Sequence, residues 1–257
     1  MRRKLVARLV AALGLAAMTG VLLTGQANAV ANGQPAAPGT YPFAVKFTMT
    51  NIPNPDGTHR NSACSGALIA PQWVITAGHC FHDINRVPVS GPPQYQTTAT
   101  LGTVNLADSA GETRTIVDVR QSPVNDIALA KLDSPITDIV PLVVKPTAPK
   151  MDETLEIAGW GATSDVNPAP GTVLNTGQVA VGSIANITIG VHGVFPSSFT
   201  SACLYDSGAP YFQPVGTKFG YLVSVESDGP DCPHDQLETT SRADINFKWI
   251  YQQILAG

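Results

Sequence analysis

Residues 65–77, SGALIAPQWVITA, predict a β-hairpin, because two apolar arms flank a hinge at Pro71-Gln72. Other short runs of β-forming residues are separated by Gly, Pro, Asn and Asp. They lie at residues 41–47, 113–119, 126–132, 154–160, 177–184 and 219–225. The 21 prolines and 23 glycines fit many turns and few helices. The sequence therefore predicts an all-β barrel or sandwich.

Only the C-terminus has a helical pattern, in residues 244–255, where Asp244 is expected to cap the first turn. The apolar residues on or near one face of that helix are Ile245, Trp249, Ile250 and Ile254. Residues 141–153 contain three prolines and no strong periodicity. They are predicted to link two β units of similar size.

The N-terminal segment has the pattern of a secretory signal peptide. Residues 1–29 have a basic start and an apolar middle and end on Ala27-Asn28-Ala29, so we expect cleavage after Ala29 and a secreted, extracellular product. A membrane anchor is the alternative, but the apolar run is shorter than the roughly 20 residues that a spanning helix needs. The Arg2-Arg3 pair leaves open whether export is general or twin-arginine.

Without that segment the chain has 228 residues, with 11 basic and 19 acidic side chains. This acidic balance argues against nucleic acid or an anionic membrane surface as a partner.

The four cysteines, Cys64, Cys80, Cys203 and Cys232, all lie in the exported part. An even number of cysteines outside the cytosol indicates two disulfides, and the sequence alone permits three pairings. A zinc site built on His79, Cys80 and His82 is the alternative, which the absence of a C-x-x-C pair disfavours. We expect no metal and no cofactor.

Acyl transfer by a serine requires a general base, a carboxylate that orients the base, and N–H donors for the oxyanion. His79 follows a strong apolar strand and adjoins Cys80, and Asp126 opens an apolar strand after a turn. Ser207 stands between an aspartate and a glycine. The other four histidines are expected at the surface: His59, His82, His192 and His234.

Four stretches in this order resemble the trypsin/chymotrypsin family of serine proteases. They are TAGHC (76–80), NDIALAKL (125–132), AGWGATS (158–164) and DSGAP (206–210). The resemblance covers essentially the whole exported chain. It implies two six-stranded antiparallel β-barrels and a C-terminal helix: residues 30–140 would form the first barrel, 141–153 the linker, and 154–257 the second barrel with the helix.

By this resemblance the chain is expected to be a secreted serine endopeptidase. His79 would be the general base, Asp126 its orienting partner and Ser207 the nucleophile. The family's disulfide pairings imply Cys64–Cys80 and Cys203–Cys232. The expected partners are polypeptide substrates and protein protease inhibitors, with no nucleic acid and, after signal cleavage, no membrane. We expect a monomer.

The N-terminus after cleavage also resembles the family. Val30 would be the first residue, and in activated relatives such an α-amino group folds inward and pairs with the aspartate before the nucleophile, here Asp206. Because the signal cut would itself expose Val30, we expect no zymogen stage.

Two features depart from the family pattern. Tyr205 stands where the family usually has glycine. In the family the backbone N–H of that glycine and the N–H of the nucleophile, here Ser207, bind the oxyanion. The Tyr205 N–H is therefore either kept as a donor or misdirected. The specificity pocket is predicted to contain Ser201, Ser224, Glu226 and Glu238. The two acids either favour a basic side chain at the substrate residue before the scissile bond (P1), or obstruct the pocket, or are exposed loop residues.

These departures leave other functions open. One is a catalytically attenuated or inactive homologue that acts as a binding protein. Another is a small-ester hydrolase without peptidase activity.

Overall fold

The computed structural model describes residues 30–54 and 56–257. The predicted signal peptide lies outside the described residues. Within them the chain forms fourteen strands and one α-helix, and short 3₁₀ turns cover Gly78–Phe81 and Asp244–Asn246. The strands are β1 (Gln34–Pro35), β2 (Ala44–Pro53), β3 (His59–Ala70), β4 (Trp73–Thr76), β5 (Thr97–Leu101), β6 (Glu112–Gln121), β7 (Ala128–Leu132), β8 (Val143–Val144), β9 (Thr154–Gly159), β10 (Asn175–Ile184), β11 (Thr188–Phe195), β12 (Pro210–Val215), β13 (Phe219–Asp228) and β14 (Glu238–Arg242); the helix is α1 (Phe247–Leu255).

The first barrel closes through the strand order β2-β3-β4-β7-β6-β5, and every pairing in it is antiparallel. Its inward positions carry large apolar side chains that are buried completely, among them Phe47, Leu68, Ile75 and Leu129. The predicted hairpin is confirmed, since β3 and β4 pair across the turn at Pro71 and Gln72.

The second barrel closes through β9-β10-β11-β14-β13-β12, because β9 pairs with both β10 and β12. Strand β1 adds to β10, and β8, which lies inside the predicted linker, pairs in parallel with β13. The predicted fold class, two six-stranded antiparallel barrels with a C-terminal helix, is confirmed.

The two barrels pack on each other through aromatic residues. Phe43 of the segment before β2 meets Phe212 of β12 edge to face, with ring centroids 5.2 Å apart. Such contacts stabilise a fixed arrangement of the two barrels, and the turns that matter for chemistry lie where the barrels meet.

The C-terminal helix begins later than predicted. Residues 244–246 form a 3₁₀ turn, and α1 starts at Phe247. Asp244 does not cap the helix, because its carboxylate binds the Arg242 guanidinium at 2.7 and 3.0 Å. Ile250 is the helix residue that is buried fully. In residues 30–54 and 56–257 no helix is both long and apolar enough to cross a membrane.

Candidate active site

Three turns bring the predicted catalytic side chains together. His79 lies in the 3₁₀ turn after β4, Asp126 lies just before β7, and Ser207 lies in the turn before β12. All three line one cavity of about 600 Å³ between the barrels. Strong pairing of β4 with β7 fixes the first two turns side by side.

The carboxylate of Asp126 holds His79 at two points. His79 Nδ1 lies 2.7 Å from one carboxylate oxygen, and the His79 backbone N–H donates to the other, also at 2.7 Å. Burial opposes the charged form of Asp126, but hydrogen bonds from His79 and Ser227 and attraction to His79 hold its pKa below the ordinary value. The ionised carboxylate therefore fixes the ring with the Nδ1 proton toward Asp126 and Nε2 free to accept a proton.

Ser227 is a site residue that the sequence reasoning missed. Its hydroxyl donates to Asp126 Oδ2 at 2.7 Å, the same oxygen that faces His79. Ser224, which was predicted at the pocket, lies elsewhere: it is fully buried and accepts a hydrogen bond from Thr240 at 2.8 Å. Ser227 lines the cavities beside Ser207, and Ser224 lines neither of them.

The turn that carries Ser207 depends on Gly208. Gly208 has φ +83°, and a Cβ there would lie 2.1 Å from Thr76 Oγ1 and 2.4 Å from the Ser65 carbonyl oxygen. Only glycine fits this approach to the first barrel. The Ser207 hydroxyl makes no hydrogen bond to another described residue, and it lines the same cavity as His79.

Tyr205 adopts the backbone conformation that glycine favours, with φ +74°. Its carbonyl accepts a hydrogen bond from Ser65 Oγ at 3.2 Å. Neither the Tyr205 N–H nor the Ser207 N–H donates to another described residue. Two backbone donors beside Ser207 are thus left available.

Asp206 is fully buried behind the Ser207 turn, next to the first described residue. Its carboxylate accepts hydrogen bonds from the N–H of Gly161 at 2.8 Å, from that of Cys203 at 3.1 Å, and from that of Val30. Burial raises the pKa of Asp206 to about 7, although these donors work in the opposite direction. Val30 is buried as well, so its nitrogen lies where a positive charge would compensate the carboxylate.

A second cavity of about 230 Å³ opens beside His79 and Ser207 and is lined by carboxylates. The acids at its surface are Asp165, Glu226, Asp228, Asp231 and Glu238. Glu226 and Glu238 are both buried, which excludes the expectation that they are exposed loop residues. Ser201, predicted at the pocket floor, is buried but does not line this cavity.

Burial controls the protonation of these two acids. Burial raises the pKa of Glu226 well above the usual range, and repulsion from Glu238 raises it further. Burial also raises the pKa of Glu238 to about 8. Tyr211 donates its hydroxyl proton to Glu226 at 2.7 Å. The Glu238 carboxyl lies against Gly229, where an added Cβ would have no room, and so it narrows the cavity.

His234 corrects a further expectation, because it is buried and not at the surface. Its Nε2 lies 3.0 Å from Glu238 Oε1 but is too poorly aligned for a hydrogen bond. Its Nδ1 accepts the N–H of Gln236 at 3.2 Å. His234 therefore backs the acidic wall of the second cavity.

Both disulfides implied by the resemblance are present, Cys64–Cys80 and Cys203–Cys232. The first ties the His79 turn to β3, and the second closes the loop around the acidic cavity. With Cys80 in a disulfide, the alternative zinc site loses its thiolate ligand.

Comparison with known proteins identifies the family. The family model described as Trypsin matches residues 30–250. Serine protease 56 of Homo sapiens is 29% identical over 251 residues, which are 89% of this chain and 39% of that protein. Chymotrypsin-like elastase family member 3B of Macaca mulatta is 33% identical over 159 residues, 55% of this chain and 56% of that protein. This chain therefore covers less than two thirds of the length of either relative. The chain belongs to the trypsin/chymotrypsin family of serine proteases.

Proposed function

We propose that this chain is a secreted serine endopeptidase that hydrolyses peptide bonds through an acyl-enzyme, with His79, Asp126 and Ser207 as its catalytic residues. The observation that carries the proposal is the hydrogen-bonded set Ser227–Asp126–His79 in the same cavity as Ser207. Membership of the family supports it independently.

In the proposed reaction the Ser207 oxygen attacks the carbonyl carbon of the scissile bond while His79 Nε2 takes the hydroxyl proton. The tetrahedral intermediate collapses, His79 gives that proton to the leaving amine, and the acyl group stays on Ser207. Water then attacks the ester with His79 again as base, which releases the acid and restores the serine. Asp126 stays ionised throughout and stabilises the imidazolium, as its lowered pKa allows.

The Tyr205 and Ser207 N–H groups are the proposed oxyanion donors. Two observations support this role: both groups are unpaired among the described residues, and φ of Tyr205 is +74° as the glycine-type turn requires. Each such donor contributes roughly 10²–10³ to the rate. A tyrosine at this position therefore need not weaken the site, because the donor is a backbone group.

We further propose that residues 1–29 are a signal peptide and that its removal completes the site. The new α-amino group of Val30 would carry a positive charge next to the buried Asp206 carboxylate. The ion pair would stabilise the turn that presents Ser207 and its neighbouring donors, and no separate activating cut would follow.

A turnover assay tests the proposed function. The exported product of the full chain is incubated with a peptide library and with a simple peptide ester, and the acyl adduct is located by mass spectrometry. We expect cleavage of both substrates and an adduct on Ser207. Ser207→Ala should abolish both, whereas Ser183→Ala, which removes an exposed hydroxyl on β10, should have no effect. Cleavage of the ester alone would indicate a small-ester hydrolase, and a folded product that cleaves neither would refute the proposal.

A second candidate function is protein binding by an attenuated homologue. The specific observation in its favour is Glu238, whose carboxyl lies against Gly229 and narrows the second cavity. Binding to a protein partner by a product that turns over neither substrate would support this candidate.

A further inference from the structure

Ser65 on β3 is a polar side chain that the catalytic scheme above does not use. It has no exposed surface, and its hydroxyl makes two hydrogen bonds to the second half of the molecule. It donates to the Tyr205 carbonyl at 3.2 Å and accepts a hydrogen bond from the backbone N–H of Trp160 at 3.0 Å. Its backbone N–H donates to the Ser207 carbonyl at 2.9 Å. Ser65 therefore connects the first barrel directly to the turn that carries the nucleophile.

The conformation of Tyr205 is fixed by the two peptide planes on either side of its Cα. In the preceding plane, the Leu204 carbonyl accepts the Ala162 N–H at 2.7 Å, so the Tyr205 N–H of the same plane points the opposite way. In the following plane, the Tyr205 carbonyl is held by Ser65, and the Asp206 N–H donates to the Cys203 carbonyl at 2.9 Å. With both planes held, φ of Tyr205 remains at +74°.

A tyrosine does not adopt this conformation without a constraint. Residues with a Cβ disfavour positive φ, whereas glycine accepts it freely. Without the Ser65 hydroxyl the following plane keeps one hydrogen bond, from the Asp206 N–H. The preference of tyrosine for negative φ can then rotate the two planes against each other and strain the Ala162 bond that orients the Tyr205 N–H. The hydroxyl of Ser65 is the one side-chain group in the described residues that donates to the Tyr205 carbonyl.

We propose that Ser65 is a positioning residue that keeps the Tyr205 N–H in the oxyanion-binding orientation and so compensates for the tyrosine at a glycine-type position. The inference rests on the proposed function, because it assigns the Tyr205 N–H a role in the reaction. It adds a residue outside the catalytic set and a reason why that residue has to carry a hydroxyl.

The kinetic test compares Ser65→Ala with the wild-type exported product. We expect kcat for a peptide substrate to fall about 10-fold or more, toward the roughly 10²–10³ that a lost oxyanion donor costs, with little change in KM. The Ki of a peptide aldehyde, which forms an oxyanion on Ser207, should rise in proportion. The control is Thr240→Val, which removes a buried hydroxyl bonded to Ser224 at 2.8 Å but leaves the cavities unchanged. It should lower stability and leave kcat within twofold.

A double-mutant cycle separates positioning from general damage. Glycine accepts positive φ without a tether, so in a Tyr205→Gly background the further change Ser65→Ala should reduce kcat less than threefold. An equal loss of kcat in both backgrounds, or an unchanged kcat in Ser65→Ala, would overturn the inference.

Structures of the variants test the positioning role even if no substrate is cleaved. A lack of cleavage would refute the proposed function but would leave this structural test intact. In a crystal structure of Ser65→Ala, φ of Tyr205 should leave the positive region, whereas residue 205 of the Tyr205→Gly, Ser65→Ala double variant should keep it. A Tyr205 that stays near +74° without the Ser65 hydroxyl would refute the positioning role.

Discussion

The buried Asp206 carboxylate predicts that the state of the N-terminus controls the pH dependence of stability. The perturbation is a Gly-Ser extension before Val30, which replaces a charged ammonium by a neutral amide. In the extended chain Asp206 meets only backbone N–H donors, and burial raises its pKa to about 7 from the ordinary 3.8. An ammonium beside it would remove that rise, a difference of about 4 kcal/mol in the free energy of unfolding.

The raised pKa of Asp206 determines how the stability of the extended chain changes with pH. The unfolded chain loses the Asp206 proton near pH 4, while the extended folded chain keeps it until about pH 7. Stability of the extended chain is therefore lost progressively as the pH rises between these values. In the chain that starts at Val30 the ammonium favours the ionised carboxylate, so this loss is absent. Stability falls there only as the pH rises above about 8, where the α-amino group of the unfolded chain loses its proton.

Urea unfolding of both forms at about pH 4, 6 and 8 measures the effect. From the lowest pH to the highest, the stability of the Val30 form relative to the extended form should rise by up to about 4 kcal/mol. Other titrating groups are common to both forms and cancel in the difference. In the extended chain, Asp206→Asn should remove the fall in stability between about pH 4 and pH 7. Parallel stability curves for the two forms with Asp206 intact would refute the reasoning.

Three further predictions concern the site and its walls. Ser227→Ala removes a 2.7 Å hydrogen bond to Asp126, so kcat should fall roughly 10-fold or more at unchanged KM; an unaltered kcat would exclude a role for Ser227. Because only the ionised Glu238 attracts a cation, preference for Lys or Arg at P1 should strengthen as the pH rises through about 8, and Glu238→Gln should abolish that dependence in a P1 library. Replacing both Cys203 and Cys232, which are 29 residues apart, by alanine should lower the free energy of unfolding by about 3–4 kcal/mol in urea titrations; a loss below about 1 kcal/mol would contradict it.

An all-β fold was predictable from the sequence because short apolar runs alternate with turn residues, and His79 and Asp126 stand at the ends of such runs. The two barrels and the role of Ser207 followed from the resemblance of stretches such as DSGAP (206–210) to the family. The sequence could not predict that Ser227, and not Ser224, contacts Asp126. Side chains three residues apart on a strand point to opposite faces, so only one of the two serines can face the site. Only the register of β12 against β13, which pairs Pro210 with Val225, determines which serine faces Asp126.

Two further features could not be predicted from the sequence: the burial of the two acids and the positive φ of Tyr205. Glu226 and Glu238 occur among Asp, Gly and Pro residues, where charged side chains are normally solvated, yet β13 and β14 pair so as to enclose them. The tyrosine itself gives no sign of positive φ, because that conformation depends on hydrogen bonds from Ser65 and Ala162, distant in sequence.

The most direct test of the central claim is fluorophosphonate labelling of the exported, Val30-starting product, with Ser207→Ala and His79→Ala as controls. We expect labelling of Ser207 that both substitutions abolish, because the reagent requires an activated nucleophile. A correctly processed and folded product that does not react, or that reacts equally without His79, would contradict the proposed catalytic serine.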